Sequence, residues 1–276
     1  MRSPITMDPV ATLQRLEPTF TESGRLARRM QRDVHSYNKR ETGNPAGDIV
    51  TEADLAVQEF LLREMSKTDL INCRLFAEED TPSTSAFNER GTYCLGIDPI
   101  DDTAIYARGG DHFSTIVSLH DGKNILYLFV HFPAWEWTLR VVNGTYSFSG
   151  ATPRLPLPPE AQNTIVYWSG DPEEHLPKDL LLELADKGLS FHQLSGVTKD
   201  LGSIALFATD SIAGVYIETI NAYDGLVEFG IASARGQRIY SGGPSGAIGL
   251  NAIEKKESGL YYPGYYLALS DLAAHL

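Results

Sequence analysis

Cysteine is almost missing from this chain: Cys73 and Cys94 are the only two in 276 residues. Two thiols without metal-ligand spacing exclude a disulfide framework and read as reduced core residues, which points to a cytoplasmic address. Long hydrophobic runs are missing as well. The most apolar stretch, "ILYLFVHF" at 125–132, is too short to span a bilayer. The opening "MRSPITMDPVATLQRL" has no apolar h-region, so no signal peptide is predicted. Cations are scarce: 23 Lys and Arg stand against 36 Asp and Glu, for a net charge of −13. Such a chain is a poor partner for nucleic acid, whose phosphates want lysine and arginine, and for an anionic membrane. None of the seven histidines falls into H-E-x-x-H spacing. "SGGPSGAIG" (241–249) lacks the Walker lysine pattern and reads as a turn. No internal repeat or low-complexity tract occurs.

What is present is ordinary globular material, 42% apolar and 21% charged, long enough for one large core or two packed halves. Asp8-Pro9 reads as a helix N-cap with proline in the first turn. Val10, Leu13, Leu16, Phe20, Leu26, Met30 and Val34 then recur at helical spacing, in one long helix or a twice-broken one. "ETGNPAGD" (41–48) is a loop. A second helix restarts at "TEADLAVQEFLLREM", where Thr51 and Asp54 have the spacing of a capping box. Past it the period changes to short strands, "NCRLFAEED", "TYCLGIDPID", "STIVSL", "ILYLFVHF" and "EWTLRVV", the last joined to "TYSFS" by a type I′ hairpin at Asn143-Gly144. Proline-rich "ATPRLPLPPEAQ" marks a boundary between an N-terminal half, 1–155, and a C-terminal half, 156–276. Beyond it come a strand at "NTIVYWSG", a helix ended by Gly188, "GSIALFATDSIAGVYIE" as helix then strand, and a helix stopped by Gly236. Alternating strands and helices in both halves predict a layered α/β sandwich rather than a closed barrel.

The distinctive feature is acid at strand ends. Asp98 and Asp101 flank a proline-shaped turn in "DPID", and Glu78 and Glu79 end the preceding strand. Unpaired buried carboxylates cost several kcal/mol each, whereas a hard divalent cation takes oxygen ligands and keeps room for water and a phosphate. Singly, each acid reads as a turn cap or a solvated group; together they predict a Mg²⁺ site, with the Ile100 carbonyl as a further oxygen. Thr103 follows at what reads as a helix start, where backbone N–H groups suit a phosphate. Metal, phosphate seat and oriented water are the parts of metal-assisted phosphate ester hydrolysis.

The order "GDIVTEAD", "FAEED", "GIDPIDDT", "NAYDGL" resembles the inositol monophosphatase family of Mg²⁺-dependent, lithium-sensitive phosphatases, over almost the whole chain. The resemblance implies an alternating αβαβα sandwich of the inositol monophosphatase / fructose-1,6-bisphosphatase type, and a homodimer. It implies a phosphomonoesterase acting on a small phosphorylated polyol or sugar with two or three Mg²⁺. By position, Glu78, Asp98, the Ile100 carbonyl, Asp101 and Asp224 look like metal ligands. Asp54 and Thr103 look like the pair that orients the attacking water, with Glu78 also in the catalytic set. For Asp54 the capping role stands beside the catalytic one, and both can hold together. The amides of Asp102 and Thr103 would hold the phosphate. Gly202, Ser203 and Ile204 match a Gly-Ser/Thr-Ala substrate segment, and Glu218 an acid that binds sugar or inositol hydroxyls. Within the enzyme class, the same resemblance leaves fructose-1,6-bisphosphatase and 3′-nucleotide phosphatase activities as alternatives.

Departures are as informative. Asp102 stands where the family has glycine, either crowding and repelling the phosphate or turning away to cap the helix. "AIY" (104–106) replaces the usual continuation, Lys199 stands where arginine is common, and Tyr223 stands for tryptophan. A weakly active relative serving as a binding partner is the rival that Asp102 motivates. Elsewhere, His112, His120 and His131 read as strand-surface or core-edge residues. Trp135 and Trp137 read as core or interface. Arg25, Arg28, Arg29 and Arg32 read as a solvated helix stripe.

Overall fold

The structure, a computed structural model, describes residues 8–33, 36–38, 49–155, 157, 159–194, 201–243, 248, 250–251, 253–256 and 259–274. The loop expected at 41–48, Lys199 and part of the 241–249 stretch lie outside these residues. Asp8 starts helix α1 (Pro9–Met30): its carboxylate accepts the Ala11 N–H at 3.0 Å, and Pro9 fills the first turn. The helix is unbroken, Pro18 included, and buries Val10, Leu13, Phe20 and Ala27. Strands β1 (Ser36–Asn38) and β2 (Ile49–Thr51) pair antiparallel and lead into α2 (Glu52–Met65), which packs beside α1.

A six-stranded sheet follows in chain order. It comprises β3 (Arg74–Ala77), β4 (Cys94–Asp101), β5 (Ser114–His120), β6 (Ile125–Phe132), β7 (Trp137–Val142) and β8 (Thr145–Ser149). Only β3 and β4 run parallel; every later pair is antiparallel. Asn143 and Gly144, with φ of 48° and 77°, turn β7 into β8 as a type I′ hairpin requires. The short helix α3 (Thr103–Ala107) leaves β4 directly.

The second half builds a five-stranded sheet in the order β10–β9–β11–β16–β13. Its parallel members are β9 (Thr164–Tyr167), β10 (Ser190–Gln193) and β11 (Gly214–Ile217). Between and after them run α4 (Pro172–His175), α5 (Lys178–Asp186) and α6 (Ser203–Ala208). Next come β12 (Ile220–Asn221), α7 (Val227–Arg235), β13 (Ile239–Gly242), β14 (Glu254–Lys256), β15 (Gly259–Tyr262), β16 (Tyr265–Leu269) and α8 (Asp271–Ala274). Strands β12, β15 and β14 form a small separate sheet. Gly188 and Gly236, with φ of 73° and 70°, end α5 and α7 in the left-handed region that favours glycine.

Side-chain alternation explains the layering. Tyr127 and Phe129 of β6 join Leu95, Ile97 and Val117 against α1 and α2, while Leu128, Val130 and Phe132 face the other way. That second face meets Ile204 and Phe207 of α6, Val227 and Ile231 of α7, and Val166, Val215 and Tyr266 of the second sheet. Ile165, Tyr216, Leu267 and Leu269 point outward from the second sheet onto Leu180 and Leu184 of α5. The chain is thus an αβαβα sandwich. Strands buried on both faces read as near-continuous apolar runs, which is why "ILYLFVHF" looks so hydrophobic.

Candidate active site

Parallel pairing of β3 and β4 brings two acidic strand ends to one edge. Ala77 lies opposite Ile97, and the Glu78 N–H donates to the Ile97 carbonyl at 3.1 Å, so Glu78 arrives beside Asp98. Pro99 has no N–H to give the β4–β5 ladder, and the register shifts between Asp98 and Asp101. That irregularity lets both aspartates reach the same side. Asp98 Oδ1 accepts the Ile100 N–H at 3.0 Å, and Asp101 Oδ2 accepts the Ser114 hydroxyl at 3.1 Å.

Asp224 comes from the far half of the chain through a close backbone approach. A Cβ on Gly96 would stand 2.8 Å from the Tyr223 carbonyl and 3.1 Å from that of Ala222, so only glycine admits this loop against β4. The result is one carboxylate oxygen each from Asp98, Asp101 and Asp224 within 4.8 Å of one another. Asp98 is 3% exposed. Burial first, then neighbouring acids, pushes all three well above the usual carboxylate range: Glu78 acts most on Asp98, Asp102 and Glu228 on Asp101, and Asp101 on Asp224. Asp224 Oδ1 is buried and has no hydrogen-bond partner among the described residues. Converging, desolvated, partly unpaired carboxylate oxygens suit a hard divalent cation, which converts their repulsion into attraction.

Asp54, fully buried, performs two tasks at once. Its Oδ2 accepts the Thr51 N–H at 2.8 Å and the Thr51 hydroxyl at 2.5 Å, closing the capping box of α2. Its Oδ1 faces the Thr103 hydroxyl at 3.2 Å, which also reaches the Ile100 carbonyl at 2.9 Å. Burial and the neighbouring Glu78 raise the Asp54 carboxyl to about 7, against the opposing pull of Thr51.

Asp102 does not cap α3: its side chain makes no capping hydrogen bond, contrary to that reading of the sequence. Its backbone is left-handed (φ 64°, ψ 43°), a conformation natural to glycine, which turns the side chain inward. A Cβ on Gly202 would lie 1.8 Å from Asp102 Oδ2, so the carboxylate rests directly on that glycine. Burial, then the charges of Glu228 and Asp224, raise Asp102 to about 7.

The structure therefore gathers Asp54, Glu78, Asp98, Ile100, Asp101, Asp102, Thr103, Gly202, Ser203 and Asp224. Ile204 adjoins them in the chain, but its side chain packs in the central core, leaving its backbone for any substrate contact. Glu218 ends β11 elsewhere: its Oε2 packs on Gly170 and lies 3.8 Å from His175 Nδ1. One residue escaped the sequence reading. Glu228, 3% exposed on α7, accepts the Ser203 hydroxyl at 2.6 Å and the Tyr266 hydroxyl at 3.3 Å. The Tyr223 phenol is raised well above its ordinary range by burial and by Glu78, Asp224 and Asp98. Glu228 shows in the sequence only as one acid inside an apolar helix, four positions after Asp224.

The remaining candidates are structural. His120 and His131 are fully inside, at 3% and 1% exposed, not at the surface. Trp135 and Trp137 both stack on Phe132. Arg25, Arg28 and Arg29 form exposed ion pairs with Glu136, Asp111 and Glu22.

Comparison with known proteins agrees with this geometry. The model of the inositol monophosphatase family matches residues 18–199, well over half of the chain. A sequence search among curated proteins gives no match. Among solved structures, an IMPase of Thermotoga maritima is similar at 21% identity and TM-score 0.60, covering 95% of this chain and 94% of that one. A staphylococcal IMPase-I complexed with products matches at 14% identity and TM-score 0.63, covering 97% and 94%. An IMPase/NADP phosphatase complexed with Mg²⁺ and phosphate matches at 14% identity and TM-score 0.62, also covering 97% and 94%. Identities this low show a shared fold.

Proposed function

Since the chain belongs to the inositol monophosphatase family, a family of phosphatases, we propose that it is a Mg²⁺-dependent phosphomonoesterase acting on a small phosphorylated polyol or sugar. The observation that carries this is the convergence of Asp98, Asp101 and Asp224 beside the Asp54–Thr103 pair. Glu78, Asp98, Asp101, Asp224 and the Ile100 carbonyl would hold two or three Mg²⁺. Bound there, Mg²⁺ supplies positive charge to phosphoryl and leaving-group oxygens and acidifies a bound water.

The chain's own groups orient and deprotonate that water. The Thr103 hydroxyl has one hydrogen, between the Ile100 carbonyl at 2.9 Å and Asp54 Oδ1 at 3.2 Å. Turned to Asp54, it leaves its lone pairs to accept a proton from water, while its own proton passes to the carboxylate. Burial, the largest influence on Asp54, raises its carboxyl and makes it a stronger base for that exchange than a solvated aspartate. The amides of Asp102 and Thr103 would hold the phosphate. Gly202, Ser203 and the Ile204 backbone would line the alcohol side. We further propose a cytoplasmic homodimer. No helix among the described residues is long and apolar enough to cross a membrane.

Phosphate release from inositol phosphates, fructose bisphosphate and adenosine 3′,5′-bisphosphate, with and without Mg²⁺, tests the reading. Mg²⁺-dependent release from a polyol or sugar monophosphate is expected, falling about 100-fold or more in Asp54→Asn. Preference for either bisphosphate would reassign the substrate within the family. A second reading, a weakly active relative acting as a binding partner, is favoured by the Asp102 carboxylate beside the phosphate seat; no release from any compound supports it.

A further inference from the structure

Glu228 is an acid where packing asks for none. It sits inside a helix whose buried neighbours are Val227, Gly230, Ile231 and Ala232. Its two oxygens take hydroxyls from separate layers, Ser203 at the start of α6 at 2.6 Å and Tyr266 on β16 at 3.3 Å. Neutral acceptors meet the needs of two hydroxyls. The charge itself opposes folding, because Glu228 is among the carboxylates that repel Asp101, Asp102 and Asp224. Burial raises the Glu228 carboxyl above its ordinary range, and a cation arriving at the acidic centre would reverse that cost and favour the charged form.

We propose that Glu228 is a positioning residue of the metal centre: its charge strengthens the pull on divalent cations at Asp98, Asp101 and Asp224, and its bond to Ser203 ties the Gly202–Ser203 segment to that centre. This rests on the metal reading above. Groups behind metal ligands that supply charge and orientation typically change metal affinity by about 10–100-fold when altered. Glu228 lies four positions after Asp224, just inside α7, where its charge acts on Asp101, Asp102 and Asp224, and its partner Ser203 adjoins Gly202, on which Asp102 rests.

Mn²⁺ is the probe, titrated calorimetrically into metal-stripped full-length protein, with melting in EDTA measured alongside. Glu228→Gln keeps size and an acceptor but removes the charge. It is expected to bind Mn²⁺ about tenfold more weakly, yet to melt in EDTA no lower than the wild type. Glu228→Asp keeps the charge on a shorter stem and is expected to hold Mn²⁺ affinity within about threefold, though its reach to Ser203 is lost. A purely structural Glu228 gives the reverse pattern: wild-type affinity in the Gln variant, or a lower EDTA melting temperature accompanying any loss. Either result overturns the proposal. If the wild type itself binds no Mn²⁺, the metal reading fails first, a result distinct from equal binding by wild type and Glu228→Gln.

Discussion

At position 102 an aspartate holds a backbone conformation with φ of 64°, which L-residues adopt at a cost of about 1 kcal/mol or more. Its carboxylate lies against Gly202, in the field of Glu228 and Asp224. Asp102→Gly relieves both strains. The metal-free variant is expected to be more stable by about 1 kcal/mol in urea unfolding. With Mg²⁺ its turnover on a phosphomonoester should rise about tenfold, the order of a single like-charge contact. Unchanged turnover would clear Asp102 of opposing the phosphate. At this scale the sequence was legible where chemistry is local. The Thr51–Asp54 capping box and the Asp98–Asp101 pair were both visible as spacing. Which way the Asp102 side chain turns was not, because a left-handed residue shows in a sequence only when it is glycine. Glu228 was hidden for another reason: Ser203 and Tyr266, which give it meaning, are 25 and 38 residues away.

Among the elements, β4 decides the geometry. It contributes Asp98 and Asp101, receives Glu78 through parallel pairing with β3, and admits the Asp224 loop over Gly96. Gly96→Ala would set a methyl 2.3 Å from the Ser118 hydroxyl oxygen and 2.8 Å from the Tyr223 carbonyl, pushing that loop away. Overpacking of this kind costs about 1–3 kcal/mol. Mg²⁺ affinity, measured by calorimetry, should fall at least about tenfold as Asp224 retreats. Wild-type affinity would mean that Asp224 is not needed to hold metal. Strand ends, turns and caps could be read in advance because glycine, proline and asparagine act on their own neighbours. The burial of His120 and His131 could not: their partners, Tyr262 at 2.5 Å and Thr138 at 2.9 Å, come from other strands.

Across the whole molecule, the acidic centre makes stability depend on pH and on metal together. Asp54 and Asp102 are held near 7, and Asp98, Asp101 and Asp224 well above the ordinary value near 4. Carboxyls raised on folding bind protons more tightly in the folded state. Their contribution is therefore complete below about pH 4; that of Asp54 and Asp102 is lost as pH climbs through 7, and that of the other three as it climbs through their own raised values. His120 and His131, lowered to about 4 by burial, act oppositely, losing their contribution as pH falls from about 6.5. Five acids outweigh two histidines, so in EDTA the melting temperature should drop between pH 5 and pH 8. Adding Mg²⁺ should raise it by roughly 5–10 °C at pH 8 and far less at pH 5. Equal shifts at both pH values would mean that the acids are not what the ion binds. The layering itself was foreseeable from alternating strands and helices. The seating of α6 and α7 between the sheets was not, since their packing partners lie in both halves of the chain.

Because Asp224 reaches Asp98 from a remote part of the polypeptide, a ribosome must translate on from Asp101 to Asp224 before the centre can close. Until then the growing nascent chain carries Asp98 and Asp101 without their third companion. The first sheet, complete by Ser149, therefore has to fold during synthesis without the full set of converging carboxylates.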